Sequence, residues 1–271
     1  MPRTLPVVLV VVLLHNLAPV RAADKKPPGT SVEEQADKLR ADFKSTDPAV
    51  RRNAVSSMPH SPAASLLMPE LFAALEDSDG EIREWAATVI GNQGEKSVGA
   101  VPQLIVQLES DPVKTTRETA ARALGRIGKA VPANRTMVGA LAKAARDDAD
   151  SVTRVVSLGA LLLMNPDDVE RRDAVRAFLK HDDPLTRMKA AHALGYLSDK
   201  AKIAAPEIAR ALQQATDPKQ RAYLGRALGQ VGDRTQLSIL SAELERETDP
   251  TAQSEMRGAI KRLGGTPPAK K

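Results

Sequence analysis

One stretch of the chain, Arg117 to Gly128 (Arg-Glu-Thr-Ala-Ala-Arg-Ala-Leu-Gly-Arg-Ile-Gly), returns in blurred form from end to end and limits what the chain can fold into. Arg83 to Gly91, Arg187 to Gly195 and Arg221 to Gly229 are clear copies. Aligning on the first arginine gives Arg51, Arg83, Arg117, Arg154, Arg187, Arg221 and, with a substitution, Gln253, spaced 32, 34, 37, 33, 34 and 32 residues apart. A fixed period in this range is the signature of stacked repeats, each too small to bury its own apolar face and stable only on its neighbours.

Each copy carries the signals of a helix. Asp47, Asp79, Asp150, Asp183, Asp217 and Asp249 stand four residues before the anchor, and most are followed by proline. Aspartate accepts from the free amides of a helix start, and proline fits the first helical position because it has no amide to lose. The third copy departs, with Val113 at that place and Asp111 two residues earlier. Gly91, Gly125, Gly195 and Gly229 follow the apolar run, where a left-handed residue is expected to end the helix. At about 100° per residue, offsets 0, +3, +4 and +7 from the arginine share one face. That face holds Ala86, Ala87 and Ile90 in one copy and Ala190, Ala191 and Leu194 in another. A second amphipathic segment precedes it, clearest at Pro69–Glu76, Pro102–Leu108 and Pro206–Leu212. Two helices per repeat predict an all-α, right-handed α-solenoid of about seven helix pairs over residues 31–264.

The Asp-Pro start, the arginine four residues on and the Ala-Ala-x-Ala-Leu-Gly tail resemble the HEAT repeat, in particular the short bacterial form also found in phycobilin-lyase-like proteins. The resemblance implies an armadillo-like solenoid in which aspartate and arginine of successive repeats form a ladder. Asp47/Arg51, Asp79/Arg83, Asp150/Arg154, Asp183/Arg187 and Asp217/Arg221 match that pattern, and the third and seventh copies depart from it. It also implies a second helix of each repeat lining the inner curve. It specifies no function, because such solenoids serve unrelated roles. A lyase-like activity is the enzyme reading it permits.

Residues 1–22 read as a signal peptide: Arg3 gives a positive start, Leu5 to Leu14 is apolar, and Val20-Arg21-Ala22 suits cleavage. The apolar run is short of the roughly 20 residues that span a bilayer, so export to the periplasm or beyond is expected over stable membrane insertion. Residues 23–30 read as a disordered spacer, Ser31 with Glu34 as a capping box opening the first helix, and residues 265–271 as a disordered tail.

The chain has no cysteine, which excludes disulfides, thiolate metal sites and a cysteine nucleophile. Only six residues are aromatic, so the core must be built from Leu, Ile, Val and Ala. The formal charge of +5 drops to +3 without the leader's Arg3 and Arg21, and charges alternate in sign along the helices. A nucleic-acid surface needs a concentrated basic stripe, and none shows in the sequence. No Gly-x-Ser-x-Gly elbow, His-Glu-x-x-His pair or phosphate loop occurs. His60, His181 and His192 sit at no helical ligand spacing and lack the His-Glu pairs of iron-binding HEAT-like hydroxylases. Asp77-Ser-Asp79-Gly80 fails as a calcium loop because the terminal ligand positions fall on Leu75 and Ala86. No catalytic residue, cofactor or metal is therefore expected.

What remains is a surface for a partner. Offsets +1, +2 and +5 point away from the core face and should line the inner curve. They place Trp85 and Tyr223 in one column, an apolar patch of Val155, Val156 and Met188 between them, and Arg122, His192 and Arg226 at its rim. Apolar surface rimmed by polar groups marks interaction sites, and Trp, Tyr and Arg are favoured anchors. The expectation is a non-catalytic scaffold that docks a protein or peptide across repeats four to six. The bland alternatives are burial of these residues between helices, with Trp85 a gap filler, and a spacer with no specific site.

Overall fold

The computed structural model describes residues 31–131 and 134–269, folded as fourteen α-helices in seven successive pairs. They are α1 (Val32–Phe43), α2 (Pro48–Ser56), α3 (Met68–Ala74), α4 (Gly80–Asn92), α5 (Val101–Ser110), α6 (Lys114–Ala130) and α7 (Arg135–Asp147). Then follow α8 (Ser151–Met164), α9 (Val169–Ala177), α10 (Pro184–Gly195), α11 (Ala205–Gln214), α12 (Pro218–Val231), α13 (Leu237–Arg246) and α14 (Pro250–Arg262). Each even-numbered helix carries an anchor and packs on its own odd-numbered partner and on the next even one, which makes an α-solenoid. Among the described residues no helix is long and apolar enough to cross a membrane. The expected leader (1–22), spacer (23–30) and last two residues of the tail lie outside the described residues.

The helix starts follow the predicted chemistry. Asp47, Asp79, Asp150, Asp183, Asp217 and Asp249 each accept an amide of the first turn, while Val113 offers none. Ser31 and Glu34 form the capping box. The +7 column is buried through all seven pairs: Met58, Ile90, Leu124, Leu161, Leu194, Leu228 and Ile260. At about 1.5–3 kcal/mol for each such side chain, this one column contributes on the order of 10–20 kcal/mol of burial before chain entropy is set against it.

The helix ends do not follow the prediction. Gly91, Gly125, Gly195 and Gly229 are helical and none has positive φ. Left-handed residues stand three positions after Gly91 and Gly195, at Gly94 (φ 56°) and Ser198 (φ 47°), and beyond the last helix at Gly264 (φ 76°). The earlier glycines serve close approach instead. A Cβ on Gly125 would lie 2.8 Å from the Ala160 Cα of the next repeat, and one on Gly91 would lie 2.8 Å from the Ala123 Cα.

The ladder exists, but its acid is not the capping aspartate. The Arg51 guanidinium donates to Asp77 at 2.8 and 2.9 Å, Arg83 to Asp111 at 2.8 and 2.9 Å, Arg117 to Asp148 at 2.9 and 3.0 Å, and Arg221 to Glu247 at 2.5 and 3.0 Å. Each acceptor sits two residues before a helix cap and also takes the amide two residues on, at Asp79, Val113, Asp150 or Asp249. The third copy therefore keeps its rung, because its aspartate stands in the ladder place and only the cap is missing. Each anchor also reaches back six residues to a carbonyl of its own repeat, as Arg154 does to Asp148 and Gln253 to Glu247. Two rungs are absent among the described residues. Arg154 and Arg187 face repeats in which the ladder place holds His181 and Ala215. The apolar core divides in the same region, with Ala160 and Leu161 of α8 in one cluster and Val155 and Leu162 in the other.

The tail turns back rather than trailing away as far as Ala269: the Gly265 amide donates to the Ile260 carbonyl at 2.9 Å, and the Arg257 guanidinium donates to the Pro268 carbonyl.

Candidate docking groove

Where the rungs are missing, the even-numbered helices α6, α8, α10 and α12 enclose an open groove of about 740 Å³. Most of its lining is one stripe of the helical wheel. Offsets −2, +2, +5, +9 and +12 fall between about 120° and 200° at 100° per residue. They hold Leu185 and Lys219, then Val156, Lys189 and Tyr223, then Arg122, Gly159 and His192, then Arg126, Leu163 and Tyr196, and finally Lys129. Helix α8 forms a floor without polar side chains, from Val156, Gly159, Ala160 and Leu163, continued by Met188 and Ala193 of α10. The stack curves inward here. Glu118 of α6 pairs with both Arg122 and Lys189, the latter on α10 beyond α8. Two interaxial steps of about 8–10 Å each would hold a flat stack's helices too far apart for that contact.

Five of the eight sequence-predicted residues line this groove: Arg122, Val156, Met188, His192 and Tyr223. Arg226 flanks it in an adjoining depression of about 320 Å³ that shares Lys219 and Tyr223. Its guanidinium donates to Glu255 at 2.9 Å and lies 5.9 Å from the Tyr223 ring centre. Two expectations are corrected. Val155 is fully buried, and Met188 is 7% exposed and touches the groove only as part of its floor. Offset +1 lies about 100° round the helix, at the edge covered by the next repeat; Glu118 and Ala222 are buried there too. Trp85 stands apart on α4, half-buried against the core, as the gap-filling alternative proposed.

The sequence reading missed Arg126, Lys129, Leu185, Tyr196 and Lys219. Tyr196 is 59% exposed, a large ring left in solvent. Extending the +2/+5 columns by one turn towards the N-terminus and two towards the C-terminus would have found all five.

His192 stands at the centre, edge-on to Tyr196 (4.8 Å between ring centres) and to Tyr223 (5.7 Å). Burial pushes its imidazole from the ordinary 6.5 down to about 4, with the charges of Lys189, Arg122, Arg226 and Arg126 adding to the effect. It is neutral at pH 7. Burial also holds the Arg126 guanidinium below its ordinary value, reinforced by Arg122, and its partner is the Asn92 amide oxygen at 2.6 Å. Among the described residues no group of three or more His, Asp or Glu could hold a metal ion.

The HEAT repeats family matches residues 68–161. No curated protein matches the chain. Among solved structures, the chain is similar to the complex of CpcE and CpcF of phycocyanin lyase from Nostoc sp. PCC7120, at 21% identity and a TM-score of 0.52, over 89% of this chain and 97% of that one. It is also similar to an engineered protein of the Northeast Structural Genomics Consortium (19% identity, TM-score 0.40, 86% of this chain and 99% of that one). A designed armadillo repeat protein in complex with the peptide (KR)4 is similar at 16% identity and TM-score 0.41, over 85% of this chain and 99% of that one. At these identities what is shared is the HEAT-like solenoid fold.

Proposed function

We propose that this chain is a non-catalytic interaction scaffold that docks a protein or peptide in the groove over α6, α8, α10 and α12, acting outside the cytoplasm if residues 1–22 serve as an export leader. One observation carries the reading. An apolar floor with aromatic and cationic walls lies open to solvent along α6, α8, α10 and α12. Rims of Tyr and Arg around an apolar floor are what protein interfaces use as anchors.

The test is a crosslinked recovery of partners from the native cell with the full chain as bait. It runs beside Tyr196→Ala/Lys219→Glu, both well exposed, and Val106→Ala, on the odd-numbered layer and 62% exposed. A partner kept by the native chain and by Val106→Ala but lost from the groove variant, with unchanged melting, supports docking. Equal recovery by all three would sink it in favour of a spacer. Chemical conversion of the recovered partner by the chain would favour the lyase-like reading instead.

A further inference from the structure

We infer that the groove's occupant is an extended acidic peptide segment, its apolar side chains on the α8 floor and its carboxylates against Arg122, Arg126, Lys129, Lys189 and Lys219. The inference rests on the docking reading above and names the partner's chemistry.

The first ground is charge balance. Five cations line the groove, against Asp217 in the lining and Glu118 beneath it. Outside the groove, two cations of the even-numbered helices are answered across repeats, Arg52 by Asp79 and Glu81 and Arg226 by Glu255. Among the described residues no carboxylate lies within ion-pair range of Arg126, Lys129 or Lys219. Arg126 is the most costly of these, since its half-buried guanidinium has only an amide oxygen opposite it. An arriving carboxylate supplies the missing counter-charge in a setting drier than open surface, where a pairing is worth more.

The second ground is distribution. The cations come from three helices: Arg122 and Lys189 meet at Glu118, while Lys129 stands in the last turn of α6 and Lys219 in the first turn of α12. A phosphate or a single headgroup asks for convergence. A chain carrying several negative charges matches a spread. Three interaxial steps of about 8–10 Å, shortened on the inner side by the curvature, set an upper length of about seven to nine extended residues at roughly 3.3 Å each. The third ground is the floor, where Val156, Leu163 and Met188 lie between the cationic walls. An extended segment with acidic and apolar residues alternating presents one kind to the floor and the other to the walls.

The test screens a random peptide library of about eight residues against the full-length chain and against Lys129→Gln/Lys219→Gln, with Arg126→Gln as a second variant checked for native melting. Retained peptides are expected to be net acidic. Their affinity should fall at least tenfold in the double variant, and should weaken from about 0.05 to about 0.5 M salt as exposed charges are screened. Neutral or basic peptides held by the groove would overturn the assignment of charge and leave docking standing. So would displacement of acidic peptides by millimolar inorganic phosphate, which would mark an anion site only. Groove-dependent binding of phosphatidylglycerol vesicles with no peptide retained would assign the surface to a membrane. No groove-dependent ligand at all, with a cell partner still lost from Tyr196→Ala/Lys219→Glu, would reject the acidic peptide alone.

Discussion

Asp111→Asn removes one ladder charge and leaves the side-chain shape. Asp111 takes two bonds from Arg83, at 2.8 and 2.9 Å, and one from the Val113 amide at 2.9 Å. Both partners are nearly covered, with side chains 12% and 5% exposed. The asparagine oxygen still closes the Val113 turn, but its amide meets the guanidinium as a second donor. Removing one partner of a buried pair costs about 3–5 kcal/mol. Arg83 keeps its bonds to the Asp77 and Ser78 carbonyls, which places the cost near the lower end, about 3 kcal/mol. For a chain of this size that is a drop of about 6–12 °C in Tm. Urea titration followed by far-ultraviolet circular dichroism measures it, and Arg154→Gln serves as the comparison. Arg154 bonds the Asp148 carbonyl and meets no carboxylate, so its loss should cost about 1 kcal/mol. If Asp111→Asn shifted stability by less than about 0.5 kcal/mol, the size of an ordinary surface change, the ladder would not be what secures the repeats.

The missing rungs should be repairable: His181→Asp and Ala215→Asp place a carboxylate opposite Arg154 and Arg187, and each should raise stability by about 1 kcal/mol in the same titration. Gly125→Ala should destabilise by about 1–3 kcal/mol through its clash with Ala160, although alanine is the better helix former. Gly139→Ala, with open space around it, should instead stabilise by about 0.5–1 kcal/mol in parallel thermal melts. His192 makes stability depend on pH. Its folded pKa of about 4 lies below the ordinary 6.5, so between these values the unfolded chain takes a proton that the folded chain refuses. Stability should be full above about pH 6.5 and fall towards pH 4, by about 3 kcal/mol from this one group. The difference between native and His192→Gln, measured by denaturant titration across that range, isolates it; a flat difference would mean that His192 is not shielded from protons.

The fold was legible because its signals recur. A cap in six copies, with an anchor position and a +7 apolar residue in all seven, leaves little room for another architecture. The ladder was legible in kind and misplaced by two residues, because aspartates stand at both Asp77 and Asp79 and only geometry separates the cap from the rung. The glycines misled for a similar reason: Gly91 and Gly125 sit near helix ends in sequence, but the neighbouring alanine, invisible within one repeat, is what demands them. The site was half legible. Wheel angles put Val156, His192 and Tyr223 on one face, while the burial of Val155 depends on how closely α8 meets its neighbours. Lys129 and Lys219 carry no motif. Four helices bring them to one groove, where among the described residues neither has a carboxylate within ion-pair range.

The most direct measurement is site-specific photocrosslinking in the native cell, with a photoreactive residue at Tyr223 in the groove or at Val106 on the odd-numbered layer. The account predicts a discrete adduct from position 223, weakened by Lys129→Gln/Lys219→Gln, and none from position 106. The same adducts from both positions, or none from position 223, would contradict it.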